Sequence, residues 1–349
     1  MANEVNTKGW EVAREVERTK TSVMERLIPD KKQLLAGFYG VLALFAVFLI
    51  GCWLAGNPFE ATKRIASPFV EKLGWVGTNE WSIIWSVVLI AMFFEFMDAT
   101  AGMGFGTALT PLLLIIGFNP KQIVPVVMIQ QGVAGLIGAF LHKEFENVEW
   151  KFRPMSETIR LWLYIAITGC AAVAFSVTAV YGVFKTGKVW IQLYVALLLV
   201  MMGVISLIQA RLRERPYRPK MMIGFAALAG FNKGIGGGGY GPVVTIGGLM
   251  SGVPVKSMMA VTAISEGTVS TFSILVWLAL LTSGVTIDYL LLPSMMLATI
   301  FTAVAAPWAT RVFPEKLWRI VVPLYSCILA AYTFYKAIPP VIAKLQAGG

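Results

Sequence analysis

The sequence predicts an all-α polytopic membrane protein with an inverted-topology repeat. Each copy is a broken re-entrant helical hairpin plus three transmembrane helices, and one extra transmembrane helix precedes them. Three observations carry this. Of 349 residues 57% are apolar and only 14% charged, with a mean hydropathy of +0.72, whereas a soluble domain carries about 25% charged residues. Several apolar runs exceed ~18 residues, enough to cross ~30 Å of hydrocarbon with the backbone bonds closed inside one helix; a transmembrane barrel would instead alternate over ~10-residue strands. Finally, two long apolar regions are interrupted by glycine clusters that recur in register.

In chain order, residues 1–33 are polar and mixed in charge, with no apolar core near Met1, so no cleavable signal peptide is expected. Trp10, Ala13, Val16, Val23, Met24 and Leu27 recur there at helical spacing, which predicts a cytoplasmic amphipathic segment lying on the membrane surface. Residues 34–56 form the extra transmembrane helix. An external loop, 57–80, holds Pro58, Pro68, Gly74 and a short interfacial helix. Repeat 1 covers 81–210: a broken region at 81–118, then spans near 122–141, 158–181 and 189–210. A basic cytoplasmic linker, 211–220, leads to repeat 2 at 221–338, with a broken region at 221–252 and spans near 257–281, 287–310 and 317–338. Residues 339–349 are a tail. Trp10, Trp53, Trp75, Trp81, Trp190 and Trp318 fall near span ends and read as interface anchors. Cys52, Cys170 and Cys327 lie inside apolar runs and read as small core residues.

The first break contains Gly102, Gly104, Gly106 and Pro111; the second contains Gly234, four glycines at 236–239, Gly241 and Pro242. Inside a continuous helix each Gly costs roughly 1 kcal/mol and each Pro ~3 kcal/mol. Two half-helices meeting at an unwound turn avoid that cost, provided protein or a wet cavity satisfies the freed backbone. A shift of 135 positions superposes the breaks. Gly102, Gly104 and Gly106 fall on Gly237, Gly239 and Gly241, Phe105 on Tyr240, Thr110 on Thr245, Gly117 on Gly252, Lys121 on Lys256 and Gly132 on Gly267.

Charge orients the copies. If each break is a hairpin that returns to its own side, the loops at 142–160, 211–220 and 311–319 share a side with the amino terminus. That side holds 20 of the 29 Lys and Arg. The positive-inside rule then makes the amino terminus cytoplasmic and the carboxyl terminus external. The first hairpin enters from outside and the second from the cytoplasm.

Polar residues at the breaks are the candidate site. Glu95 and Asp98 precede the first glycine cluster; Asn232 and Lys233 stand in the second. An ionisable group at that depth costs at least ~2.5 kcal/mol and is a functional candidate by default. Asp98 and Lys233 are equivalent positions, so a pseudo-two-fold axis should bring them together, with two readings. They form a silent ion pair, or Lys233 and the amides of the glycine turn face a small anion while Asp98 keeps the lysine charged or exchanges a proton. On the next helix of each copy stand Gln130 and Gln131, and Thr262, Ser265 and Glu266. Gln130 and Thr262 read as helix-to-helix hydrogen bonders. Gln131 and Glu266, matched across the axis, read either so or as ligands. The candidate substrate contacts are therefore Lys233, Asn232, Gly104, Gly106, Gly237, Gly239, Gly241, Thr110, Thr245, Gln131 and Ser265, and the candidate coupling groups are Asp98, Glu266 and Glu95. The single histidine, His142, opens a loop rich in Glu and Lys and is expected to be solvated.

The segment 98–120, DATAGMGFGTALTPLLLIIGFNP, and the segment 234–254, GIGGGGYGPVVTIGGLMSGVP, followed by Ala263-Ile264-Ser265-Glu266, resemble the TauE/SafE family of sulfite and organosulfonate exporters. The resemblance covers about residues 82–338 and leaves the first eighty outside it. It implies a proton-linked exporter, or in some members an importer, of small sulfur-containing or carboxylate anions across the bacterial inner membrane. Asp98 matches an acidic position in the first motif of some members. Lys233 departs from the small or acidic residue of the second, which puts the substrate's identity in doubt.

No acid–base dyad, nucleophile elbow or metal cluster is legible, and the glycine runs lack the Gly-Lys-Ser/Thr ending of a phosphate loop, so no enzyme, cofactor, metal or nucleic acid is expected. The expected partners are a small anion and the lipid bilayer. The amino-terminal extension offers a surface for a protein partner or a homo-oligomer. An uncoupled anion channel and a membrane-embedded docking subunit are the rival readings.

Overall fold

The computed structural model describes residues 8–56, 83–102, 105–183, 216–282 and 284–314, with scattered helical positions between 190 and 204 and between 316 and 346. The expected loop at 57–80, Gly104, Trp75, Trp81, Trp318 and most of the spans at 189–210 and 317–338 lie outside the described residues, as do the first half of the linker at 211–220 and most of the tail at 339–349. Among the described residues the regular elements are all helical, and five helices are long and apolar enough to cross a membrane.

Two short helices, α1 (Glu11–Thr19) and α2 (Val23–Leu27), precede the long apolar α3 (Lys31–Ala55). α2 and α3 each begin with a capping box, Ser22 with Glu25 and Asp30 with Gln33, in which two side chains satisfy otherwise orphaned amides. The first hairpin is α4 (Trp85–Ala101), a π-helical turn (Phe105–Leu109) and α5 (Thr110–Ile116). α6 (Pro120–Glu144) and α7 (Glu157–Val177) follow, α7 running on into a π-helical turn (Thr178–Val183). The second hairpin is α8 (Met221–Gly236) and α9 (Tyr240–Met250), and α10 (Val255–Leu281) and α11 (Leu292–Val312) complete the described helices.

The repeat is visible in these bounds. A shift of 135 carries α4 onto α8, α6 onto α10 and α7 onto α11 to within two residues at every end. The packing is reciprocal as well: α8 of the second copy lies on α7 of the first, and α4 of the first lies on α11 of the second. At the centre α6 crosses α10. A Cβ on Gly135 would sit 2.6 Å from the Ala263 carbonyl and from the Gly267 amide, so no larger residue fits without parting the backbones. Along that seam Gly132 lies beside Thr271, Gly135 beside Gly267 and Gly138 beside Ala263, which makes the two helices antiparallel.

Two features differ from expectation. The apolar face of α1 packs on protein: Trp10 is 4% exposed and meets the Tyr217 ring edge-on at 5.0 Å, while Ala13 and Val16 are buried. Glu17 pairs with Lys256 at 2.7 Å, the Gly9 and Lys8 carbonyls accept the Glu149 and Thr158 amides, and Arg26 Nε donates to the Val312 carbonyl at 2.8 Å. Helical periodicity specifies an apolar face but not what covers it. Trp10 is therefore not a lipid anchor, whereas Val23, Met24, Leu27 and Ile28 around α2 stay exposed, and so do Trp53 and Trp190. The second difference is the start of α11 at Leu292 rather than near 287. Asp288, fully buried, accepts from Gln122 Nε2 at 2.9 Å and from the Leu290 amide at 3.1 Å, which holds the segment before the helix in a turn.

Candidate functional site

The hairpin tips meet. α4 ends at Gly102 (φ +69°) and α8 at Gly237 (φ +71°), both left-handed, the conformation in which glycine carries no Cβ penalty. Each of these glycines returns its amide to the residue four before it, Asp98 and Lys233 respectively. A Cβ on Gly106 would lie 2.3 Å from the Gly237 carbonyl, so the two turns touch backbone to backbone. Thr245 Oγ1 donates to the Gly102 carbonyl at 2.9 Å and stands 3.0 Å from Thr262 Oγ1. Its counterpart Thr110 lies against Gly237, its hydroxyl unpartnered among the described residues.

Lys233 is 0% exposed and sits in the last turn of α8, where the partial negative charge of the helix terminus favours a cation. Its Nζ donates to Gln131 Oε1 at 2.6 Å and to Glu266 Oε1 at 2.8 Å, and lies 5.1 Å from the centroid of the Tyr240 ring. The ionic partner of Lys233 is thus Glu266. Asp98 stands behind Gln131, whose Nε2 reaches Asp98 Oδ2 at 3.5 Å, the long limit of a hydrogen bond. The repeat register makes Asp98 and Lys233 equivalent but leaves their separation to the tertiary structure, which puts the glutamine amide between them.

Glu95 is buried one turn further back on α4 and accepts from Gln130 Nε2 at 2.8 Å, which also donates to Thr299 Oγ1 at 2.8 Å. Ser265 is buried with its hydroxyl unpartnered among the described residues. Asn232 accepts from the Tyr194 hydroxyl, and its amide nitrogen is unpartnered among the described residues. Gly239 (φ +78°) caps α9, and Gly241 is buried in its first turn.

Sequence reasoning missed Tyr240, whose ring flanks Lys233 and whose hydroxyl is buried and unpartnered among the described residues. It also misplaced His142. That side chain is fully buried at the end of α6, because the segment 145–148 and α11 cover it. A cavity of about 30 Å³ runs from the lysine centre towards it, lined by Glu95, Asp98, Gln131, Thr262, Glu266 and His142 among others. Among the described residues no group of three His, Cys, Asp or Glu side chains has the arrangement of a metal site.

Apolar spans, two broken hairpins joined at their tips and charged side chains buried between them define a polytopic helical membrane protein built around a polar centre. The chain belongs to the TauE/SafE family: the family model described as "Sulfite exporter TauE/SafE" matches residues 87–333. Members of this family are membrane transporters. Neither a curated protein nor a solved structure matches the chain significantly.

Proposed function

We propose that the chain is a secondary transporter that exports a small anion, such as sulfite, an organosulfonate or a related carboxylate, across the bacterial inner membrane. The observation that carries this reading is the shared ammonium. Lys233 is fully buried at the meeting point of the two hairpins, and Glu266 neutralises it at 2.8 Å. An anion entering the site competes with Glu266 for that charge. Once Glu266 takes a proton it releases the ammonium to the anion, so proton and anion are bound together and cross together, and export runs down the anion's own outward gradient. Asp98 and Glu95 are further proton acceptors in the same cavity. Thr110, Ser265 and Asn232 offer neutral donors left unused among the described residues, and an anion repays the cost of burying them.

The antiparallel crossing of equivalent helices supports oppositely inserted copies, and hence alternating access by rocking one about the other. The basic loops support an amino terminus in the cytoplasm and a carboxyl terminus in the periplasm. With that orientation the exposed apolar residues of α2 lie at the inner lipid interface, just before α3 enters the bilayer.

The test is flux. Purified protein in liposomes is expected to take up sulfite, thiosulfate or sulfoacetate when the outside is acidified, and Lys233→Gln to abolish both uptake and anion-dependent thermal stabilisation. Conductance indifferent to the pH gradient would make the protein a channel. Absence of flux with every anion would overturn the reading.

A further inference from the structure

The cavity beside the lysine ends at the one histidine of the chain, and the surroundings of that ring fix its chemistry. Asn147 Nδ2 donates to the Pro307 carbonyl at 2.9 Å, an acceptor with no proton of its own, so the orientation of the amide is determined. The same nitrogen lies 3.1 Å from His142 Nδ1 and gives it the second amide proton. Nδ1 is therefore an acceptor, and the neutral ring must carry its proton on Nε2. That Nε2–H is buried and faces the Ala99 carbonyl of α4, and it makes no hydrogen bond of full geometry among the described residues.

We infer that His142 is held as the neutral Nε2–H tautomer and anchors water in a wet cavity leading to the carboxylates, as a positioning residue for proton entry. About 30 Å³ admits two waters, each of which needs two or more polar partners. The cavity supplies them: the Nε2–H donates, and Glu95 and Asp98 from α4 and Glu266 from α10 accept. Ala303 lines the cavity as well, and Pro307 has no N–H to give its carbonyl in the helix. The other charged groups nearby hold partners of their own, with Arg311 keeping Nε and Nη2 unpartnered among the described residues. Arg311 of α11 binds Glu146 and the Phe145 carbonyl, Lys32 of α3 binds Glu144, and Lys233 binds Glu266. Protonating Nδ1 would oppose an N–H to the Asn147 N–H, so the ring itself does not carry the proton. It orients the water that does.

The role in proton entry rests on the coupling proposed above; the tautomer and the wet cavity do not, and one spectrum tests them. A single histidine gives a single pair of ¹⁵N ring resonances. In the full-length protein in nanodiscs they are expected to show Nε2 protonated and Nδ1 bare from about pH 5.5 to 8, a range spanning the ordinary histidine pKa of about 6.5. The Nε2 proton is expected to exchange magnetisation with water. Asn147→Asp, whose carboxylate accepts from Nδ1–H, is expected to let the doubly protonated ring form as pH falls. An imidazolium in the native chain at those pH values, an Nδ1–H tautomer, or a ring proton isolated from water would overturn the inference. In liposomes, His142→Phe is expected to slow sulfite uptake driven by a pH gradient about tenfold while leaving half-saturation and gradient-free sulfite exchange unchanged. His142→Gln, which keeps an N–H donor, is expected to stay within about twofold of the native rate. Equal rates in all three would remove His142 from proton entry. Absence of flux in the native chain would sink the proposed transport, and with it the role in proton entry, while the spectrum still decided the tautomer and the water.

Discussion

The two hairpin tips are built alike and charged differently. Both close on a left-handed glycine, both present a threonine to the opposite tip and both hand over to a long helix that crosses its twin at a glycine seam. Yet Asp98 of the first occupies the position held by Lys233 in the second, Gln131 that of Glu266, Phe105 that of Tyr240 and His142 that of Trp277. The shared features are backbone features, fixed by where glycine and proline stand. The polar side chains at matched positions differ, so the site has a direction. The helix terminus favours the cation at 233 and disfavours an anion in the same turn at 98, and the pairings differ accordingly: lysine with Glu266, Asp98 with the backbone amide of Phe105 and, at long range, the side-chain amide of Gln131.

Breaking the shared backbone is expected to have the largest effect. Gly106→Val would force a side chain into the Gly237 carbonyl, 2.3 Å from where its Cβ would stand, and is expected to cost about 3 kcal/mol or more, read as loss of monodisperse protein or a steep fall in Tm. Next comes the charge asymmetry. Lys233→Met leaves Glu266 buried without its counter-ion, a loss of about 3 kcal/mol, whereas the double variant Lys233→Met/Glu266→Met is expected to recover most of that stability and none of the transport. A double variant no more stable than the single one would show that the pair is not the unit described.

The contact of α2 with the end of α11 is smaller in effect. Arg26→Ala removes a buried charged donor from the Val312 carbonyl and is expected to cost about 2 kcal/mol by thermal or denaturant unfolding. The finest contrast lies between the threonines. Thr245→Val is expected to cost about 1 kcal/mol, because the hydroxyl serves the Gly102 carbonyl, whereas Thr110→Val is expected to be near neutral in stability while weakening anion affinity. Equal costs at the two positions would erase the asymmetry.

Much of this architecture was legible in the sequence. Among the described residues apolar length located five spans, and glycine and proline placed both breaks, because few other residues tolerate or impose such backbone. The 135-residue register anticipated helix bounds that agree to within two residues. The site was less legible. Gln131, Lys233 and Glu266 each stood out as polar residues in apolar surroundings, but which of them touch depends on how α6, α8 and α10 cross, and no local pattern encodes that. Asp98 was expected against Lys233 on symmetry alone, and a glutamine intervenes. His142 looked solvated because its neighbours in sequence are charged; its burial comes from the segment 145–148 and from α11, more than 150 residues away. The apolar face of α1 was legible, but not its cover.

The proton count on anion binding tests the shared lysine most directly. Purified protein titrated with sulfite or sulfoacetate in weakly buffered solution, corrected for the anion's own protonation, is expected to take up close to one proton per anion bound. Glu266→Gln should bind the anion with no proton uptake. Binding without proton uptake by the native chain, or with the same uptake once Glu266 is neutralised, would contradict a lysine shared between substrate and carboxylate.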